Sequence, residues 1–130
     1  MIAVLAKGVI LLVALLHLYF LWLEMFAWTT KAKKVFRGFP KELFEPTKAL
    51  AANQGLYNGF LAAGLLWSLL IQDTQWQVRE ALFFLACVSL AGLYGGFQRI
   101  QKDSVRAGLP RPVGHSAVVG AVILAVPALG

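Results

Sequence analysis

Apolar residues fall in four long runs, and the polar residues collect in the three stretches between them. The first run, Gly8 to Leu23, is broken only by His17 and is long enough to cross a hydrocarbon core at about 1.5 Å per residue. Runs near Leu50 to Ile71, Val78 to Phe97 and Val113 to Leu129 follow. Backbone groups in lipid need a helix or a closed barrel, and runs this continuous lack the alternation of barrel strands. The pattern predicts helices over 3–28, 48–71, 78–101 and 112–129, forming an all-α, integral-membrane, four-helix up-down bundle as a single domain, 1–130. The connections 72–77 and 98–112 are short enough to make their flanking helices antiparallel neighbours. A cleaved leader would carry its positive charge ahead of a shorter apolar core and end at small residues. Here Phe26-Ala27-Trp28 and then lysines follow the run, so the segment is read as retained.

Composition agrees with a membrane-embedded chain: 59% of residues are hydrophobic and the mean hydropathy is +0.71, more than a water-facing surface needs. The charges then set an orientation. Of the 12 basic residues, Lys31, Lys33, Lys34, Arg37, Lys41 and Lys48 lie between the first two runs, and Arg99, Lys102, Arg106 and Arg111 between the last two. Only Lys7 and Arg79 mark the other side. By the positive-inside rule the first and third connections are cytoplasmic and both termini face outward. The basic residues sit where topology needs them, which argues against nucleic acid as a partner. The lone Cys87 excludes an internal disulfide and supplies no metal-binding pair, and it reads as a packing residue.

The first connection is more than a tether. Val35, Phe36, Phe39, Leu43 and Phe44 are interleaved with cations, a pattern that suits an interfacial amphipathic segment lying against anionic headgroups and equally a basic loop that serves topology alone. Glu45-Pro46-Thr47 reads as the start signal of the second helix, since proline is tolerated in a first turn and a carboxylate there suits the dipole.

Candidate chemistry comes from polar side chains inside the runs, which are costly in lipid and must face protein, water or a ligand. Glu24 stands near the end of the first run, with His17 seven positions upstream on nearly the same helical face. The second run holds Asn53-Gln54-Gly55-Leu56-Tyr57-Asn58-Gly59, whose polar members recur four apart as a stripe turned away from lipid. Gly55 with Gly59, and Gly92 with Gly96, are small-xxx-small pairs that let backbones approach. Glu24, Asn53, Gln54, Gln98 and His115 are expected within about 10 Å of the cytoplasmic face, and His17, Tyr57 and Asn58 about 13 to 17 Å deep. The outer half is nearly devoid of polar groups. This distribution predicts a polar, cytoplasm-facing pocket whose ligand-binding residues are His17, Glu24, Asn53, Gln54, Tyr57, Asn58, Gln98 and His115. The competing reading of the amides is interhelical glue; for Glu24 it is snorkelling to water or pairing with a loop lysine, for His17 a buried neutral imidazole donating to a neighbouring helix, and for His115 an interfacial position.

The elements His17-x-Tyr19-Phe20-x-x-x-Glu24-x-Phe26-x-Trp28, Phe36-x-x-Phe39 and Asn53-Gln54-Gly55-Leu56-Tyr57-Asn58-Gly59-Phe60 together resemble the small bacterial four-helix membrane proteins grouped as domain-of-unknown-function family 1304. The resemblance covers nearly the whole chain. It implies a topology, in a bacterial inner membrane, and carries no activity.

Three function classes fit the pattern. The pocket could bind a small amphipathic or lipid-like ligand, such as an isoprenoid, quinone or sterol-like molecule, in an architecture that loosely resembles the emopamil-binding type, some of whose members are intramembrane lipid isomerases. Glu24 could serve a small proton-coupled exporter resembling the small multidrug-resistance transporters, although those have weak charge asymmetry and this chain has a strong bias. The polar face could instead dock to a larger complex as an accessory subunit. A homo-oligomer is compatible with each. Bis-histidine haem ligation needs equal depths, whereas His17 and His115 differ by about 10 Å. No phosphate-cradling loop, nucleophile elbow or zinc motif occurs, so no cofactor or metal is expected, and the ligand-binding reading is preferred to an enzyme.

Overall fold

The computed structural model describes residues 2–106, and all the regular structure among them is helical, with no strand among the described residues. Helix α1 runs over Ile2–Met25, a short α2 over Ala32–Val35, a 3-10 turn over Lys41–Leu43, α3 over Lys48–Leu70 and α4 over Thr74–Arg106. The first two long helices match the expected spans, α1 ending three residues before 28. The third starts four residues before the expected 78 and runs five residues past the expected 101, through Arg106, into what was expected to be a connection. The fourth expected helix, 112–129, lies outside the described residues.

Local chemistry accounts for each boundary. Helix-type bonding continues past Met25 to Phe26 and Ala27. The Ala27 carbonyl then collects the amides of Thr30 (3.1 Å) and Ala32 (2.9 Å) together with the Thr30 hydroxyl (3.3 Å), an arrangement that competes with further helix. Helix α3 begins at Lys48, just after Glu45-Pro46-Thr47, so Glu45 and Pro46 precede the first turn they were expected to occupy. The reversal between α3 and α4 is tighter than the expected 72–77 connection, because the Asp73 carboxylate accepts from the Trp76 amide at 2.9 Å, a side-chain cap that starts α4 at Thr74. Gln77 Nε2 donates back to the carbonyls of Ser68 (3.1 Å) and Ile71 (3.4 Å), satisfying acceptors that the end of α3 leaves open.

The chain divides into two compact units, Met1–Leu90 and Ala91–Gly130. In the first, α1 and α3 pack along each other. One core gathers Ile10, Ala14, Leu65 and Ala81, with Val13, Leu66, Leu69, Phe84 and Leu85 against it. Gly64 admits the Phe84 ring so closely that a Cβ there would overlap it. A second core gathers Leu23, Ala27, Ala32 and Phe44, with Phe20, Trp28, Phe36 and Phe39 around them. Of the second unit, the described part is the end of α4 from Ala91, which carries Gly92, Gly96 and Gln98.

Among the described residues, two helices are long and apolar enough to cross a membrane, Ala3–Met25 and Thr74–Ile100. A core helix of a water-soluble protein would be mostly buried, whereas only 6% of the most apolar window of each is buried. Leu5, Leu12 and Leu15 of α1 and Leu82, Phe83 and Leu90 of α4 are all more than half exposed. Helix α3 is of similar length, but Asn53, Gln54, Tyr57 and Asn58 dilute its apolar character.

Candidate functional site: a carboxylate–amide pair at the α1–α3 contact

Helix α3 turns Ala51, Gly55, Ala62 and Leu65 inward, with Asn58 and Gly59 half-buried on the same side. The glycines set the separation at one end. A Cβ on Gly55 would lie 2.7 Å from Met25 Cγ, 3.0 Å from Glu24 Cβ and 3.1 Å from the Leu21 carbonyl oxygen. One on Gly59 would meet Leu21 Cδ1 at 2.6 Å. The Gly55/Gly59 pair is therefore a point of close approach, as its spacing suggested.

That approach brings Glu24 within reach of α3. Asn58 Nδ2 donates to Glu24 Oε2 at 2.7 Å, a charge-assisted geometry when the carboxylate is ionised. The bond links residues 34 apart in the chain. Among the described residues Oε2 is the Glu24 oxygen so engaged, leaving Oε1 as an acceptor of further bonds.

The other predicted members separate. His17 shares the face of Glu24, but Leu21, the residue packed at Gly59, stands between them in the helix. Its Nδ1 donates to the Val13 carbonyl at 2.9 Å, which fixes the ring along its own helix and makes Nε2 the acceptor in the neutral imidazole. Asn53, Gln54 and Tyr57 were expected to turn inward with Asn58. They are exposed, because the inward face of α3 follows 51, 55, 58 and 62, and the three lie on its flanks. Gln98 is exposed on the second unit's part of α4. His115 lies outside the described residues.

The connection after α1 differs most from expectation. Phe36, Phe39 and Phe44, expected to lie against headgroups, fold inward around Trp28. Ring centroids are 5.6 Å from Trp28 to Phe36, 5.6 Å to Phe39 and 4.9 Å to Phe44, and Phe44 is fully buried. Trp28 Nε1 donates to Thr47 Oγ1 at 3.1 Å, and Thr47 Oγ1 donates to the Leu43 carbonyl at 2.6 Å. The indole thus ties the end of α1 to the residue before α3, one helical turn beyond Glu24. Of Val35, Phe36, Phe39, Leu43 and Phe44, only Val35 and Leu43 remain exposed. Sequence reading missed this plug, although Trp28 and three phenylalanines within one short connection are more aromatic surface than an isolated tether would carry.

A family profile described as "Protein of unknown function (DUF1304)" matches residues 11–129. The chain belongs to this family. Among curated proteins it is similar to the uncharacterized protein YpaA of Lactococcus lactis subsp. lactis (strain IL1403), with 34% identity over 100 residues, covering 75% of this chain and 82% of that protein. No solved structure matches it. The matched span takes in His17, Glu24, the aromatic plug and the whole of α3, so these are parts of a family-sized unit.

Proposed function

We propose that the chain is a multi-pass protein of a bacterial cytoplasmic membrane, with the 26–47 connection inside and both termini outside, and that the Glu24–Asn58 end of the α1–α3 pair holds the polar head of a small amphipathic, lipid-like ligand. The carrying observation is the 2.7 Å bond from Asn58 to Glu24. A carboxylate so close to a long apolar run is expensive in a bilayer unless partnered, and one amide leaves acceptor capacity for a second donor. Asn53, Gln54 and Tyr57 stand on the flanks of the same helical turns, where a hydroxyl- or amine-bearing head could meet them. The apolar exposure of α1 and α4 supports the membrane setting, and α4 is remote from the N-terminus, where a leader would lie. The cations between α1 and α3 support the orientation.

Two experiments test the two parts. In a Cys87→Ala background, Lys34→Cys is expected to be protected from an impermeant thiol reagent in intact cells and Thr74→Cys to react; labelling of Lys34→Cys in most molecules would overturn the orientation. Native mass spectrometry of the purified protein, with extraction of retained molecules, is expected to show one lipid-soluble species bound in stoichiometric amount. Recovery of bulk phospholipid alone would overturn the ligand reading.

A further inference from the structure

The aromatic plug gives the first connection a fixed outer surface as well as a core. Leu23, Ala27, Ala32 and Phe44 are buried together, and the Trp28–Thr47 bond closes the connection onto both flanking helices. The cations are carried on the outside of this folded unit. Lys31, Lys34, Arg37, Lys41 and Lys48 are exposed, and Lys33 lies over the Phe44 ring at 5.9 Å. The acidic residues on the same stretch are Glu42 and Glu45, both exposed, so the balance is strongly positive. Beside the cations, Val35 is 46% exposed, Leu43 41% and Phe26 71%.

We propose that the surface of residues 26–48 is a docking face for anionic lipid headgroups, with Lys31, Lys34, Arg37 and Lys41 engaging phosphate and Phe26, Val35 and Leu43 entering the acyl boundary. The inference rests on the membrane setting proposed above. If α1 inserts, its apolar surface ends at Met25, and the unit that follows lies at headgroup depth. There, exposed cations meet an anionic leaflet and exposed apolar side chains avoid water. A loop whose cations served topology alone would need no fixed arrangement. Here Arg37 Nε is pinned to the Lys34 carbonyl at 3.3 Å, and Lys34 N bonds the Lys31 carbonyl at 3.0 Å, so the cations share one short, hydrogen-bonded scaffold.

The test uses the full chain reconstituted in nanodiscs of equal phosphatidylglycerol and phosphatidylcholine, followed by mild delipidation and quantification of the lipids that stay bound. Wild type is expected to retain phosphatidylglycerol severalfold over its bulk ratio. Each cation removed from the face is expected to lower that preference about fivefold, the change equivalent to about 1 kcal/mol per basic residue near an anionic surface. Since a severalfold preference is cancelled by the loss of one or two cations at that rate, Lys31→Gln/Lys34→Gln/Lys41→Gln should remove it completely, leaving no enrichment of phosphatidylglycerol over the bulk. The control Lys7→Gln/Arg79→Gln, on the other side of the chain, should leave it unchanged. Equal retention in wild type and the triple variant, or equal loss in the control, would overturn the docking face. Alkaline carbonate extraction of membranes from expressing cells separates the two levels: release of the protein overturns the membrane setting and this inference with it. Retention with an unchanged lipid ratio overturns this inference alone.

Discussion

At the end of the α1–α3 pair nearest the 71–73 reversal, Ile10, Ala14 and Leu65 meet Ala81 of α4, and Gly64 receives the Phe84 ring. At the opposite end Gly55 and Gly59 receive Leu21, Glu24 and Met25, and the contact is polar. The same device, glycine on α3, brings a ring into a hydrocarbon core at one end and a carboxylate beside an amide at the other. Close packing alone is served by the apolar version, which carries no unpartnered polar group. The polar version bears the cost of a carboxylate beside an apolar run, and the plug of Trp28, Phe36, Phe39 and Phe44 adds a second device that holds this end together. A polar group kept where an apolar one would pack is the reason for placing function there.

The largest effect is expected from the plug. Phe44→Ala removes a fully buried ring, and a change of this kind costs about 3–5 kcal/mol. Hydrogen exchange should show residues 27–47 opening while the α3–α4 reversal stays protected; loss of protection at both ends together would mean that the two are one cooperative unit.

Next comes the glycine contrast. Gly55→Ala meets the Leu21 carbonyl and the Glu24 Cβ, which cannot move without shifting α1, at an overpacking cost of about 1–3 kcal/mol. Gly59→Ala meets only the tip of the Leu21 side chain and should melt closer to wild type. Equal melting temperatures would remove the claim that Gly55 sets the helix separation. At the apolar end, Gly64→Ala should lie in the same range as Gly55→Ala and be relieved by Phe84→Leu, a coupling read directly from a double-mutant cycle.

A smaller loss is expected from Trp28→Phe. It keeps the aromatic packing and gives up the bond to Thr47, worth about 0.5–1.5 kcal/mol. Thr47→Val should cost a similar amount, and the double variant little more than either. Additive losses would show that the indole and the hydroxyl act separately.

Much of the scaffold was legible in the chain. Long apolar runs locate α1 and α3 within a few residues, and Glu45-Pro46-Thr47 marks the start of α3. The early start of α4 follows from the Asp73 cap, which hydropathy does not register. Its continuation to Arg106 follows from residues that carry charge yet meet no glycine or proline before Gly108 and Pro110. The site was less legible. Spacing by four placed Gln54 and Asn58 on one stripe, but a helix has 3.6 residues per turn, and the inward face passes through Gly55 and Asn58 and leaves Gln54 beside it. The Glu24–Asn58 bond joins two helices, a relation that no single-helix pattern contains. The inward folding of Phe36, Phe39 and Phe44 was hidden for a similar reason: apolar residues between cations look alike whether they face lipid or one another.

The most direct test of the polar end compares ligand occupancy with melting temperature across Glu24→Gln, Asn58→Ala and Gly64→Ala. Glu24→Gln keeps the shape and removes the charge, so the account predicts nearly unchanged melting with loss of the retained molecule. Asn58→Ala should lose about 0.6 kcal/mol, the average for an interhelical polar contact, together with most of the occupancy. Gly64→Ala, at the apolar end, should melt lower and keep its ligand in the fraction that remains folded. Occupancy that simply follows melting temperature through all three would contradict the account and reduce the Glu24–Asn58 pair to a clasp between two helices.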